Sequence, residues 1–179
     1  MNLFLRKSAL ISPCVRYRYS LARERMYGTE HGQVTWVMLN PSTADAEVDD
    51  PTIRRLWGYT EAWGYRRFEV VNLFAWRATK PRDLWTAQRA GEDIIGSDND
   101  AVLLSTCQRA RLVIVGWGAP ARAIPRAKAV VAILQAAGVP LHALKATKAG
   151  HPGHPLYLKA SLTPTPWIAP WSVSSAVAA

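Results

Sequence analysis

Two asparagines, two histidines and a cluster of acids are the residues whose types and spacing suit chemistry. Asn40 closes the strand-forming run Val34 to Leu39, and Asn72 falls near the end of a second run, Phe68 to Leu73. Between them a polar loop carries Ser42, Thr43, Asp45, Glu47, Asp49 and Asp50, and His151 and His154 lie far downstream in HPGHP. A side-chain amide offers a donor and an acceptor in one plane, which matches the edge of a nucleobase, and a histidine can stabilise charge on a developing anion. The bland alternatives stay open beside these. An asparagine after a strand can cap the local backbone, and a loop of Asn, Ser and Asp can do no more than satisfy its own turns.

Other chemistries fit less well. The chain has neither GxxxxGK[ST] nor GxGxxG, so a phosphate-cradling loop is not expected. Ser42 stands outside any nucleophile-elbow context. Asp45, Asp49 and Asp50 with His151 or His154 offer ligands for a divalent metal, although capping a helix that starts at Pro51 suits Asp50 better. Cys14 and Cys107 are far apart and read as buried small hydrophobes; no cofactor is implied.

The elements that must position these residues follow from periodicity. Ser12 to Leu21 alternates apolar or aromatic with basic residues, as a half-exposed strand whose Arg16 and Arg18 face opposite Tyr17 and Tyr19, returning hairpin-like into the Val34 run. Helices are expected from Pro51 to Gly64, Pro81 to Ala90, Asn99 to Ala110 and Arg122 to Ala137, with strands at Leu112 to Val115 and Val139 to Leu144. This order predicts an α/β three-layer sandwich around a mostly parallel four- to five-stranded sheet. Loops after parallel strands gather at one end. They would bring Asn40, Pro41, Ser42, Asn72, Trp76, Arg77, Lys80, Trp117, Lys145, Lys148, His151, His154 and Tyr157 together. Trp36 and Trp57 read as core, and Trp76 and Trp117 as core or as stacking walls.

Composition bounds the rest. At 179 residues and 49% apolar, the chain is expected to form one domain over 1–160, with a Pro-, Trp- and Ser-rich arm over 161–179 that Trp167 and Trp171 pin and whose last four residues fray. No run approaches the roughly 18 apolar residues of a membrane span, and MNLFLRKSAL lacks the order of a leader, so a cytoplasmic monomer is expected. The formal charge is +9, and all 13 acids lie at or before Asp100. Residues 101–179 therefore present eight Lys or Arg and no acid, a field that attracts phosphate-bearing partners such as DNA.

The blocks LNPSTADAEVDDPTIRR, VVNLFAWRATKP, VGWG and GHPGHPLYL, in this order, resemble the bacterial and phage family of unknown function numbered sixteen-forty-three. More distantly, Leu39-Asn40-Pro41-Ser42, Asn72 and His154-Pro155-Leu156 or His151-Pro152-Gly153 are similar to three motifs of the uracil-DNA glycosylase superfamily. Met38-Leu39 departs from the glycine-containing start of its first motif, and the histidine loop lacks its second Ser-Pro. That resemblance implies a glycosylase-like fold and hydrolysis of the N-glycosidic bond of a modified or damaged base. Asn40 would orient water, Asn72 would read the base, and His154 or His151 would stabilise the leaving base. Trp76 or Trp117 would stack on it, while Arg77, Lys80, Lys145 and Lys148 would meet phosphates. A lid or scaffold role is left to Thr43, Asp45, Asp49 and Asp50. The alternatives are a non-catalytic nucleic-acid-binding module and a metal-assisted nucleotide hydrolase using the Asp45 to Asp50 cluster.

Overall fold

The computed structural model describes residues 5–27, 32–42 and 44–172. Its elements, in chain order, are β1 (Leu5–Ile11), β2 (Arg18–Arg25), β3 (Gln33–Met38), α1 (Pro51–Ala62), β4 (Arg67–Asn72), α2 (Pro81–Arg89), α3 (Asn99–Gln108), β5 (Leu112–Val115), α4 (Ile124–Ala136), β6 (Leu141–Ala143) and β7 (Thr165–Pro166). Single 3-10 turns precede α4 at Ala121–Ala123 and follow β6 at Pro155–Tyr157.

The sheet is mixed and has seven strands in the order β1-β2-β4-β3-β5-β6-β7. This corrects the expectation of four to five mostly parallel strands. The inner strands β4, β3, β5 and β6 are parallel neighbours, while β1, β2 and β7 add antiparallel edges. Every residue of β3 is buried, the continuous burial of a parallel strand covered on both faces. The edge strand β1 alternates half-buried and exposed positions, with Arg6 and Ser8 on exposed ones and Lys7 on a half-buried one.

The expected strand at Ser12 to Leu21 also needs correction. Val15, at φ 62, makes a turn there in which its N–H donates to the carbonyl of Ser12 at 2.9 Å, so the strand begins only at Arg18. It does not return into the Val34 run. Leu21 pairs with Val70 of β4, because β4 and β5 already occupy both edges of β3. The first six residues of β2 are all buried, so Arg18 lies inside with Tyr19.

Helices cover both faces. Ile53, Leu56 and Tyr59 of α1 pack with Val34, Trp36, Phe68 and Val70, whereas Leu103 and Cys107 of α3 and Val130 and Leu134 of α4 pack with Val37, Val71, Val113 and Val115. α1 starts where its sequence signals predict: Oδ1 of Asp50 accepts from the Ile53 N–H at 2.8 Å, and Pro51 occupies the first turn. β3 therefore hands the chain to α1 on one face and β5 hands it to α4 on the other. At such a switch point the carboxyl ends of adjacent strands leave a crevice between them.

The C-terminal arm joins the body through β7 and Trp167, whose ring meets Trp117 edge-on at 5.6 Å and whose Nε1–H donates to the Gly150 carbonyl at 2.9 Å. The expected fraying of the last four residues lies outside the described residues. Both cysteines are free; Cys107 is buried, with its thiol pushed up to about 12 by burial, but Cys14 is exposed and does not fit the expected buried role. Among the described residues no helix is long and apolar enough to cross a membrane.

Candidate functional site

A pocket of about 500 Å³ opens at that crevice, and its lining includes Arg18, Asn40, Asp50, Asn72, Trp117 and His154. Ser42 and Tyr157 also reach it. The parallel register pairs Asn72 with Met38, so Asn72 and Asn40 come from the ends of neighbouring strands.

The two asparagines resolve differently. Asn40 donates Nδ2–H to the carbonyls of Pro41 at 2.9 Å and Ala78 at 2.8 Å, tying its own loop to the loop after β4. Its Oδ1 takes no hydrogen bond from the described residues. Asn72 is 1% exposed, yet neither Nδ2 nor Oδ1 has a hydrogen-bond partner among the described residues. A buried amide without partners costs free energy, of order 1–3 kcal/mol per group, unless a water or a ligand completes its hydrogen bonding. The main chain behind it is fully engaged: Asn99 Nδ2 donates to the carbonyls of Asn72 and Leu73, each at 3.1 Å, and Arg126 Nε donates to that of Leu73 at 2.8 Å.

His154 precedes the 3-10 turn Pro155–Tyr157, and its Nδ1 accepts from the Leu156 N–H at 3.3 Å. An accepting Nδ1 places the ring proton on Nε2 in the neutral tautomer. Burial lowers the pKa of this imidazole, against a smaller opposing pull from Asp50, so the ring is neutral at pH 7. The loop is clamped from two sides. Tyr59 Oη donates to the Lys159 carbonyl at 2.8 Å, and Arg55 donates to that of Leu158. On the other side Gly116 lies so close that a Cβ there would come within 3.0 Å of Pro155 Cδ and 3.1 Å of Met38 Sδ. Tyr157, 81% exposed, stands at the mouth with its ring 5.4 Å from that of His154.

The acidic loop is bound internally. Asp45 Oδ1 accepts from the N–H groups of Glu47 and Val48 at 2.8 and 2.9 Å, and these bonds hold its carboxyl below the usual range. Asp49 pairs with the buried Arg23 of β2, Nε to Oδ1 at 2.8 Å, and with Lys7 at 3.7 Å. Asp50 caps α1 while also lining the pocket. Among the described residues no three His, Cys, Asp or Glu side chains stand together as a metal site. Thr43 lies outside the described residues.

Several other sequence candidates lie elsewhere. Trp76 and Arg77 line an adjoining cleft of about 250 Å³ with Arg16; it shares Ser42, Ala78 and Thr79 with the main pocket. His151 packs against Trp171 at 6.1 Å and does not line the pocket. Lys80, Lys145 and Lys148 are exposed outside its lining. Arg18 and Asn99, by contrast, carry no motif that marks them. The available signal for Arg18 was an arginine set between two tyrosines in a strand; for Asn99 it was an asparagine at the start of a helix.

A family model described as "Protein of unknown function (DUF1643)" matches residues 18–156. No curated protein and no solved structure matches the chain.

Proposed function

The chain belongs to the DUF1643 family, whose description assigns no activity, and from the geometry of the site we propose that it is a glycosylase-like protein that binds a nucleobase in DNA and hydrolyses its N-glycosidic bond. The observation that carries this reading is the unpaired, buried amide of Asn72 in a pocket that also holds Asn40 and His154. An amide with both atoms free can hydrogen-bond a base edge that presents one donor and one acceptor. The four parallel inner strands and the helices on both faces are compatible with the glycosylase-like sandwich that the motifs suggest.

The roles divide by atom. Oδ1 of Asn40 accepts a hydrogen bond from a water and orients its oxygen toward the sugar carbon. As the new C–O bond forms, the C–N bond breaks and its electron pair leaves with the base, while the attacking water gives up one proton, which passes through solvent to the departing base. The Nε2–H of neutral His154 then donates a hydrogen bond to the base as it gains charge, which favours the transition state over the ground state. Trp117, 3% exposed, walls the base inside, and Tyr157 stacks at the mouth. Arg16, Trp76 and Arg77 in the adjoining cleft take the flanking phosphate and nucleotide.

The test is incubation of purified protein with oligonucleotides bearing uracil and a broad panel of modified bases, followed by alkali. Strand cleavage at the base, lost in Asn40→Ala, is the expected result; intact strands across the panel overturn the reading. Exposed Lys80, Lys145 and Lys148 favour a second reading, a non-catalytic nucleic-acid-binding module. Salt-dependent binding that survives replacement of Asn40, Asn72 and His154 would select it. The metal-assisted alternative gains nothing from the acidic loop, whose three aspartates are each engaged in the fold.

A further inference from the structure

We infer that Arg18 is a specificity residue of this pocket and that it selects a base edge carrying two acceptors, the O6/N7 edge of an oxopurine. The inference rests on the nucleobase reading above and adds which base is taken.

Arg18 opens β2 and is 2% exposed, yet it lines the pocket. Among the described residues its guanidinium has one hydrogen-bond partner, the Ala44 carbonyl, which Nη1 reaches at 2.5 Å. Nε is buried and has no partner among the described residues. The other deeply buried arginines are treated differently. Arg23 uses its guanidinium on Asp49, Asp45 and Ala22, and Arg126 uses its own on Asp100 and Leu73. A buried cation left with most of its donors open is costly unless something else meets them. Burial pulls its pKa down to about 10, partly offset by Asp50, so it stays protonated at neutral pH.

With Nη1 engaged, the edge formed by Nε and Nη2 remains. Two parallel N–H groups on that edge match a pair of acceptors in one plane. Guanine and hypoxanthine present such a pair at O6 and N7, whereas adenine places an amino group where O6 would be and 2-aminopurine has no O6. Asn72, with one donor and one acceptor, can adapt to any of these bases. Discrimination therefore belongs to Arg18. A phosphate offers the same acceptor pair, so it is the rival occupant to be separated by experiment.

The experiment is calorimetric titration of the full chain with guanosine, inosine, adenosine, 2-aminopurine riboside and inorganic phosphate. Guanosine and inosine should bind roughly tenfold or more tightly than the two aminopurine nucleosides. Arg18→Lys, which keeps the charge but loses the fork, should bring that ratio close to one, and Arg18→Gln should do the same, with melting temperatures confirming that each variant is folded. Equal binding of all four nucleosides by the unaltered protein overturns the assignment while leaving the nucleobase reading standing. Phosphate binding that needs Arg18, without preference among nucleosides, overturns it in favour of an anion site. Failure of every nucleoside and of phosphate to bind overturns both readings.

Discussion

The side-chain amide of Asn99 donates to the main-chain carbonyl of Asn72 at 3.1 Å, so α3 holds by its backbone the residue whose own amide stands unpaired in the pocket. Asn99 is itself fully buried and bonds the Leu73 carbonyl as well. The strand end is thereby fixed without using any atom that would read a ligand. Orientation of this kind supports function because a small misplacement of a recognition group is expensive.

Asn99→Ala should lower both stability and affinity. Two buried carbonyls lose a donor, which costs about 1–3 kcal/mol in denaturant unfolding. A positioning role further requires that Asn72→Ala, added to Asn99→Ala, weakens base binding less than it does alone. Full additivity in that double-mutant cycle would limit Asn99 to stability.

Asn72→Leu should separate stability from function. A leucine of similar shape removes the unmet polar atoms, so the melting temperature should rise by the equivalent of about 1 kcal/mol while base binding is lost. A lower melting temperature would show that the free protein already satisfies this amide.

The pH response of His154 follows from its lowered pKa. The unfolded histidine titrates near 6.5, and the folded one takes up its proton only at lower pH. Below about pH 6.5 the unfolded state therefore binds more protons, and the histidine's stability contribution, fully present above that pH, is lost as pH falls through the folded value. Melting curves between pH 7.5 and 5 should show this acid-side loss, and His154→Gln should flatten it.

Asp49→Ala should destabilise the fold by about 3 kcal/mol, because Arg23, 1% exposed, would lose its one carboxylate hydrogen-bond partner among the described residues. Urea unfolding checks the size. A change below about 0.5 kcal/mol would show that the carbonyls of Ala22 and Asp45 suffice for Arg23.

Gly116→Ala should push the His154 loop outward, since its Cβ would crowd both Pro155 and Met38. Overpacking of this kind costs about 1–3 kcal/mol. Weaker base binding with stacking contacts at Trp117 retained, read from tryptophan fluorescence, is the expected outcome; unchanged binding would show that the loop yields freely.

Local patterns carried much of this molecule. The apolar runs at Val34 and Phe68, the cap at Asp50 with Pro51, and the alternation of strands and helices were legible because each depends on a few neighbouring residues. Parallel strands place their following loops at one end, so the meeting of Asn40, Asn72 and His154 in one pocket also follows from sequence order. What the sequence could not decide is which element lies beside which. The period of Ser12 to Leu21 indicates a strand but not that it pairs with β4, and burial on both sides there turned Arg18 from a surface residue into part of the pocket.

The acids show the same division. Asp45 to Asp50 look in the sequence like metal ligands, a lid or scaffold, and the approach of Arg23 from β2 anchors Asp49 and the Asp45 carbonyl beside the local bonds that engage the Asp45 and Asp50 carboxylates. His151 and His154 share one motif, yet the clamp of α1 and Gly116 brings His154 to the pocket while His151 turns to Trp171. Sequence by itself determined the inner strands and the helices, their order and the end of the sheet where polar residues gather. Tertiary structure decided which charges are neutralised and which amides are left open, because those outcomes depend on contacts between residues tens of positions apart.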